Sequence, residues 1–418
     1  MIKLIQLSAS ALEKVLYEQT KFHLALRDVF VQEEEKSKTN NTISTLLGCE
    51  LRHHYFISHA FKEIEEELTN EEKCLLYIAL ANNLFSKKVD EQVVIKYMAE
   101  LLPDHESFLL KLLNFKGSPK ELIPEYLPPD ALETLSLQYN APEWLMKMWH
   151  KQFGFHLMKK MLIRNIRPSL ITCRVNPLIT NKEDFLKVNP AFKDTKVQDM
   201  VLYYGKTPLR QHRAFLNYEV FLLKLGFKEI LDKVDGDHLK EVFLYSEDDK
   251  SLVREVLLRF QKRARIHLGV SLEDDKNDID KIIKYNQLEN INFFVAESSK
   301  LNEEINELMD LVITHPQSSR FDLIRTYPDY LIHFDTKQFE TLIKNQSEIL
   351  ENCAPFVKEE GHLLYLVTTI NKKESRSVVN QFLAKHPEFS LVEQKQLLPF
   401  DRFDSSMYYA LLRREVKE

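Results

Sequence analysis

INELMDLVITHPQSSRFDLIRTYPDYLIHFDTKQFETLIKNQSEILENCAPFVKEEGHLLYLVTTI, residues 305–370, decides the fold. The apolar run LVI leads into a turn marked by Pro316. After Asp329 comes an amphipathic segment ending ETLIKNQSEILENCAPFV, then a turn at Gly361, then a second apolar run, LLYLV. The runs have the length of parallel strands buried on both faces. Strand, loop, helix, turn and strand follow one another, and functional loops in such folds sit at the carboxyl ends of the strands. Those ends are expected at Thr314–Ser319 and Val367–Ile370.

Working outward, fourteen positions fall into a spaced pattern: Asp310, Pro316, Ser318, Arg325, Pro328, Asp329, Gln346, Ile349, Leu350, Gly361, Leu364, Tyr365, Ile370 and Glu374. The pattern resembles that of the bacterial ribosomal RNA cytosine-C5 methyltransferases of the Sun/Fmu type (RsmB/NOP family). That family carries D-x-I-L-x-D-A-P-C-S-G, R-x-x-P-D, Q-x-x-I-L and G-G-x-L-V-Y-S-T-C-S-I-x-x-x-E-N. The resemblance implies a multidomain chain: an all-α NusB-like bundle, a small α/β subdomain of RNA-binding type, and an α/β Rossmann-like class I methyltransferase domain. It also implies S-adenosylmethionine as cofactor and ribosomal RNA as partner.

Carbon C5 of cytosine is a poor nucleophile until a group adds to C6, and in the family a thiolate does this. Cysteine suits the task because part of it is thiolate at neutral pH. At the two motif cysteines this chain has Thr368 and Gln317. A threonine hydroxyl needs an adjacent general base, for which the sequence offers only His315 and His333. Glutamine is neither nucleophile nor base. No catalytic residue of the motif is intact.

Composition bounds the rest. A chain of 418 residues is long enough for two or three domains. Its net charge of −6 does not advertise nucleic-acid binding, so an RNA footprint must be a local patch. No apolar run has the length of a membrane span, and MIKLIQLSASALEKV is broken by charges and too short for a secretory signal; a soluble, cytoplasmic protein is expected. Cys49, Cys74, Cys173 and Cys353 are widely spaced, which indicates neither a metal site nor a disulfide framework. Each is expected to fill an apolar gap.

Residues 1–135 read as the NusB-like helical domain, with a capping box at Thr69 and Glu72 before CLLYIALA. Relatives of this fold contact RNA or transcription factors, so a ribosome-assembly or transcription factor is an expected partner. His53, His54 and His59 read as surface or packing residues. Residues 32–42, QEEEKSKTNNT, read as a polar loop, and residues 101–138 as a proline-rich connector opening a further helix. Residues 136–205 read as a connector helix and the small subdomain. YNAPEWLMKMWHKQFG, residues 139–154, resembles the family's Y-S-x-P-x-W-L-x-x-x-W-x-x-x-x-G, with Trp144, Leu145, Met148 and Trp149 on one face for hydrophobic docking.

The segment 167–188 reads as a strand and a capped helix resembling P-x-x-x-R-x-N, with Arg174 and Asn176 at the matching positions. These two either contact RNA from the strand face or bind backbone at the subdomain junction. Arg164 and Arg167 just upstream, and Arg259, Lys262, Arg263 and Arg265 in RFQKRARIH, complete the candidate RNA-binding set.

Residues 206–418 read as the Rossmann-like domain. RQHRAFLNYEVFLLKLGF reads as its amphipathic lead-in helix, and EVFLYSEDDKSLVREVLLRF stands where the family carries D-L-C-A-A-P-G-G-K-T. Lys250 and Ser251 stand for its K-T. Glycine is absent from Asp237 to Leu268, so no glycine lets the backbone approach a ligand carboxylate, and Glu247, Asp248 and Asp249 form an acidic loop with no compensating charge evident. Gly269, Val270 and Ser271 occupy the strand end that should carry a ribose-binding acid, with Glu273 and Asp274 following. Glu297 stands where relatives hold adenine with Asp, and Thr314 and His315 replace D-A of D-A-P-C-S-G. The degenerate cofactor positions are thus Lys250, Ser251, Glu297 and Thr314. Near the end, FDSSMYYALLRR resembles the closing strands, with Asp401 and Asp404 as turn residues.

Two functional classes follow. One is a non-catalytic RNA-binding protein; the other is an RNA methyltransferase with an atypical site. A third, a protein-interaction module run by the helical domain, rests on the first 135 residues alone.

Overall fold

The seven-stranded sheet that carries the candidate site is built from β5 (Glu241–Ser246), β6 (Arg265–Val270), β7 (Ile291–Val295), β8 (Met309–His315), β9 (Val357–Val367), β10 (Phe389–Leu397) and β11 (Met407–Arg414). A computed structural model describes the chain except residues 32–37, 124, 126, 127, 168, 235, 273–275, 402–404, 417 and 418. The sheet order is β10-β11-β9-β8-β5-β6-β7. Pairings among β5, β6, β7, β8 and β9 are parallel, and those of β11 with β9 and β10 are antiparallel. From β5 the chain builds outward through β6 and β7, then returns to place β8 on the other side. The crevice outside β5 and β8 is therefore the topological switch point.

Both faces of the sheet are covered, which explains the unbroken apolar runs. Val242 and Leu244 of β5 pack with Val253 and Val256 of the helix Lys250–Phe260 and Ile279 and Ile282 of the helix Lys276–Tyr285. Phe243 and Tyr245 alternate to the other face, against Ile349 and Leu350 of the helix Gln338–Cys353 and Val378 of the helix Arg376–Lys385. The expected loop positions at Thr314–Ser319 and Val367–Ile370 do lie where β8 and β9 end.

A four-stranded antiparallel sheet precedes it, β1 (Thr172–Val175), β2 (Phe192–Asp194), β3 (Met200–Tyr203) and β4 (Val220–Leu222), in the order β2-β3-β1-β4. Here the expected lead-in helix is corrected. RQHRAFLNYEVFLLKLGF splits into the helix Arg213–Leu216, strand β4 and the helix Leu225–Lys233, because Val220–Leu222 pairs with Val175–Cys173. Both sheets belong to one compact unit, Ser169–Asp322 with Thr336–Glu418.

Gly361 also differs from expectation. It lies inside β9 rather than in a turn. Glu360 takes a left-handed backbone with φ of 63°, and β8 and β9 shift register between Met309 and Leu311. A Cβ on Gly361 would lie 2.9 Å from the Lys358 carbonyl oxygen and 3.0 Å from that of Met309, so only glycine lets the backbones meet there.

The other unit comprises Met1–Pro168 and Leu323–Asp335. Its central helix, Asn70–Ala81, is started by the expected capping box: the Thr69 hydroxyl accepts from Glu72 N at 3.3 Å, and Glu72 Oε2 accepts from Thr69 N at 2.8 Å. Cys74 to Ala81 are all buried, so neighbouring helices surround this one. The stretch expected as a connector contains the helix Glu106–Leu113, whose Leu109, Leu112 and Leu113 join the helical core. Of the expected polar loop, residues 32–37 lie outside the described residues, and the helix Lys38–Arg52 begins at its end. Trp149 is buried.

Residues 323–335 complete this helical unit. Asp329 accepts from the Phe22 amide at 2.8 Å, Arg325 Nε donates to the Arg167 carbonyl at 3.2 Å, and Phe334 stacks on Trp144 with ring centroids 5.3 Å apart. The R-x-x-P-D residues thus serve the packing of the helical unit.

Candidate functional site

Three strand ends meet at the switch point. Strand β5 delivers Ser246 and the loop Glu247–Asp249, β8 delivers His315 and the loop to Arg320, and β9 delivers Thr368 and Thr369. The expected acidic loop is present, but its charge is answered. Arg320 pairs with Asp248, and forks onto Asp322 through Nε–Oδ1 at 3.0 Å and Nη2–Oδ2 at 3.2 Å. Lys224 reaches Asp249 Oδ2 at 2.9 Å and Asp322 Oδ2 at 2.6 Å. Two cations and three carboxylates thus close on one another. Burial alone would raise the Asp249 carboxyl, yet Lys224 and Arg320 beside it hold it well below the usual carboxylate range. Burial likewise opposes the charge on Arg320, but Asp322 and Asp248 raise it above its ordinary value.

Sequence reasoning missed both cations. Arg320 is 72 residues from its partner Asp248 and Lys224 is 98 from Asp322, so no local spacing announces either pair. Arg320 also adopts a left-handed backbone, φ 47°, a conformation that a long side chain rarely takes. Asp249 does carry a local signal, an N-cap: its Oδ1 accepts from Ser251 N at 2.9 Å and starts the helix Lys250–Phe260.

The two positions of the missing cysteines separate in character. Gln317 is exposed and its carbonyl accepts from Gln346 Nε2 at 2.9 Å. Thr368 is fully buried; its Oγ1 donates to Asp248 Oδ2 at 2.9 Å and lies 2.9 Å from Ser318 Oγ. The expected bases lie elsewhere. His315 is buried, with Nδ1 3.1 Å from Ser246 Oγ, and burial lowers it to about 4, so it is neutral at pH 7. His333 belongs to the helical unit, 3.6 Å from Asp329. The carboxylate beside Thr368 is Asp248, which the sequence reading did not assign to it.

Of the degenerate cofactor positions, Lys250 pairs with Asp278 at 3.3 Å, and Thr314 is buried with its hydroxyl 3.4 Å from the Leu364 carbonyl. The Glu297 side chain is largely exposed, 3.9 Å from Lys300. Glu273, Asp274 and Asp404 lie outside the described residues. Among the described residues no group of three His, Cys, Asp or Glu could hold a metal. Burial raises all four thiols, Cys49 to about 11 and Cys173 to about 12, in keeping with cysteines that pack.

The motif positions that match the resemblance form a buried scaffold. Glu374 accepts from Ser319 N at 2.8 Å, Thr369 Oγ1 at 3.0 Å, Asn371 Nδ2 at 3.1 Å and Gln346 Nε2 at 3.2 Å, while Tyr365 donates to its carbonyl at 2.7 Å. At the other end of β8, Asp310 accepts from the amides of Lys240 and Glu241 and pairs with Lys358 at 2.8 Å. These residues hold the β8 and β9 loops in place whatever occupies the crevice.

The candidate RNA-binding residues divide by burial. Arg174 is buried between Glu255 at 3.0 Å and Asp199 at 2.6 Å, and Arg259 between Glu255 at 2.8 Å and Asp232 at 2.7 Å. Asn176 is buried and donates to the Tyr218 carbonyl and to Asn286 Oδ1, each at 3.1 Å. Arg174, Asn176 and Arg259 thus direct their polar atoms into the fold, and for Asn176 this is the backbone-binding alternative at the subdomain junction. Arg164 is half-buried, and Arg263 is half-buried over the Phe260 ring. Arg167, Lys262 and Arg265 are exposed.

Comparison with known proteins gives the following. A family model described as 16S rRNA methyltransferase RsmB/F matches residues 267–407. "Probable ribosomal RNA small subunit methyltransferase B" of Bacillus subtilis is 22% identical over 405 residues, covering 92% of this chain and 88% of the relative. Ribosomal RNA small subunit methyltransferase B of Yersinia pestis is 29% identical over 112 residues, 25% of this chain and 26% of the relative. The crystal structure of PH0851 superposes with a TM-score of 0.75 at 19% identity, over 99% of this chain and 98% of that one. NSun6 from Pyrococcus horikoshii superposes with a TM-score of 0.57 at 10% identity, over 66% of this chain and 99% of that one. These structures share the fold.

Proposed function

We propose, from the premise that the chain belongs to the RsmB/F family of 16S rRNA methyltransferases, that it is a non-catalytic, RNA-binding member of that family. The observation that carries this reading is the ion cluster of Lys224, Arg320, Asp248, Asp249 and Asp322 at the switch point. S-adenosylmethionine brings a carboxylate of its own to this end of the fold. Here both nearby cations are already engaged by aspartates, and no glycine lets backbone amides come close in their place. At the ribose end, β6 finishes at Gly269 and Val270, and Glu297 points its charge at solvent and Lys300. These residues do not fit the cofactor. With Gln317 and Thr368 in place of two thiols, the thiolate nucleophile is missing as well.

What remains is a scaffold with exposed basic residues on each unit. Ribosomal RNA is the partner class, and the exposed Arg167, Lys262 and Arg265 are the residues that would meet its phosphates. A ribosome-assembly or transcription factor is the second partner we assign, through the helical unit. We place the protein in the cytoplasm; no helix among the described residues is long and apolar enough to cross a membrane.

Titration calorimetry with S-adenosylmethionine, alongside a thermal shift, tests the first half. A folded sample should give no heat and an unmoved melting temperature. Micromolar binding with a raised melting temperature would overturn it. For the second half, affinity for a 16S rRNA fragment should fall steeply with salt.

One observation favours an atypical enzyme instead. The Thr368 hydroxyl donates to a carboxylate, Asp248, at 2.9 Å, which is a nucleophile beside a base. Arg320 already holds that carboxylate, which is why we rank this reading second. Methyl transfer to 16S rRNA that is lost in Thr368→Val would reverse the ranking.

A further inference from the structure

Tyr218 and Tyr285 stand at the surface of the second unit, 41% and 46% exposed, with ring centroids 3.8 Å apart and planes at 31°. Exposed apolar side chains normally scatter singly. This pair is built. Tyr218 takes a left-handed backbone, φ 57°, which a bulky side chain rarely adopts. The Tyr285 hydroxyl donates to the Asn217 carbonyl at 3.2 Å. Asn176, buried at the end of β1, donates to the Tyr218 carbonyl and to Asn286 Oδ1, so one side chain ties both tyrosine-bearing segments together.

A cation accompanies them. Arg254, on the helix Lys250–Phe260, lays its guanidinium over the ring of Phe221, three residues along the chain from Tyr218, at 5.3 Å. Asp278, on the neighbouring helix, is engaged by Lys250 at 3.3 Å and Lys281 at 3.6 Å, and no carboxylate among the described residues is paired with Arg254. The helix Lys276–Tyr285 runs back from the carboxyl end of β6 toward the amino end of β7. The tyrosines therefore lie toward the opposite edge of the sheet from the ion cluster.

We propose that Tyr218, Tyr285 and Arg254 form a nucleotide platform, on which an unpaired RNA base stacks on the tyrosines and its phosphate is taken by Arg254. Aromatic faces accept any base, and a planar guanidinium matches a phosphate. RNA offers such splayed bases in its loops and bulges. Asn176 acts here as a positioning residue: it holds the platform and touches no ligand. The proposal rests on the RNA-binding reading above and adds a second contact area to it.

The test uses the full chain and a labelled single-stranded RNA of about 12 nucleotides, within the range one such surface spans. Binding is read by anisotropy at several salt concentrations, with 2-aminopurine in the RNA reporting stacking. Tyr285→Ala and Tyr218→Gly should each weaken binding about tenfold, with the salt dependence unchanged and the 2-aminopurine signal lost. Tyr285→Phe keeps the ring and should bind as wild type does. Arg254→Gln should weaken binding and lower the salt slope by about one. Tyr218→Gly relieves the left-handed strain, so its melting temperature should not fall, which separates lost binding from lost fold. If wild type binds and both tyrosine variants bind equally well, the platform is wrong while the RNA-binding reading stands. If wild type binds no RNA, both fall.

Discussion

The guanidinium of Arg320 grips the carboxylate of Asp322 two residues along while also meeting Asp248 from the facing strand end. One side chain therefore fixes the loops after both β5 and β8. Replacing it leaves three buried or half-buried carboxylates with Lys224 as their remaining cation in the cluster. Arg320→Met should lower stability by about 3–5 kcal/mol, the usual result of removing one partner from a buried pair. The thermal midpoint checks this, and calorimetry with S-adenosylmethionine should stay silent for the variant.

Buried histidines should make the protein acid-sensitive from near pH 6.5. Burial lowers His315 to about 4 and His53 to about 4, against roughly 6.5 in an unfolded chain. Between those values the unfolded chain binds protons that the folded chain refuses, so stability falls with pH, by on the order of 2–3 kcal/mol per histidine. Below about pH 4, Asp249 and Asp232 add to the loss, because Lys224 and Arg320 beside the one and Lys228 and Arg259 beside the other keep their folded forms ionised to lower pH than the unfolded ones. Melting curves across this range should show the decline, and His315→Asn should flatten it.

Charge reversal should sort the basic residues by burial. Arg174→Glu and Arg259→Glu place a like charge against Glu255, which is itself buried, and should cost at least ~3 kcal/mol. Lys262→Glu and Arg265→Glu should move stability by only about 0.5 kcal/mol and weaken RNA binding instead. A variant pair with the opposite behaviour would mean that the exposed arginine and lysine are not the contact.

A methyl group at residue 361 should be felt throughout β9. Gly361→Ala drives Cβ against the carbonyl oxygens of Lys358 and Met309, both backbone atoms with little room to yield. We expect a loss of about 1–3 kcal/mol. Hydrogen exchange of the β8 and β9 amides should report it first at Leu311 and His362, which pair just beyond the register shift.

How much of this was legible in the sequence depends on range. The apolar runs of β5, β8 and β9 are buried on both faces, so composition alone announces them, and the capping box at Thr69 and Glu72 is a contact over three residues. The strand β4 was read as helix because its three residues are held by β1, nearly fifty positions earlier, and not by any local preference. Gly361 was read as a turn because its need for glycine comes from the carbonyl of Met309 across the sheet. At the site, the absence of thiols and glycines is plain in the sequence. The identity of what replaces them is not, since Lys224, Asp248 and Arg320 meet only through the fold.

The thirteen residues from Leu323 to Asp335 belong to the helical unit, although the ribosome makes them after most of the sheet-bearing unit has emerged. At elongation rates of about 5–20 residues per second the interval between Pro168 and Asp335 is on the order of 10–30 s. During that time the Phe22 amide lacks Asp329 and the Trp144 ring lacks Phe334. The first unit cannot finish packing until Ser169–Asp322 of the second has been made. Its completion is timed by the synthesis of a domain it does not belong to.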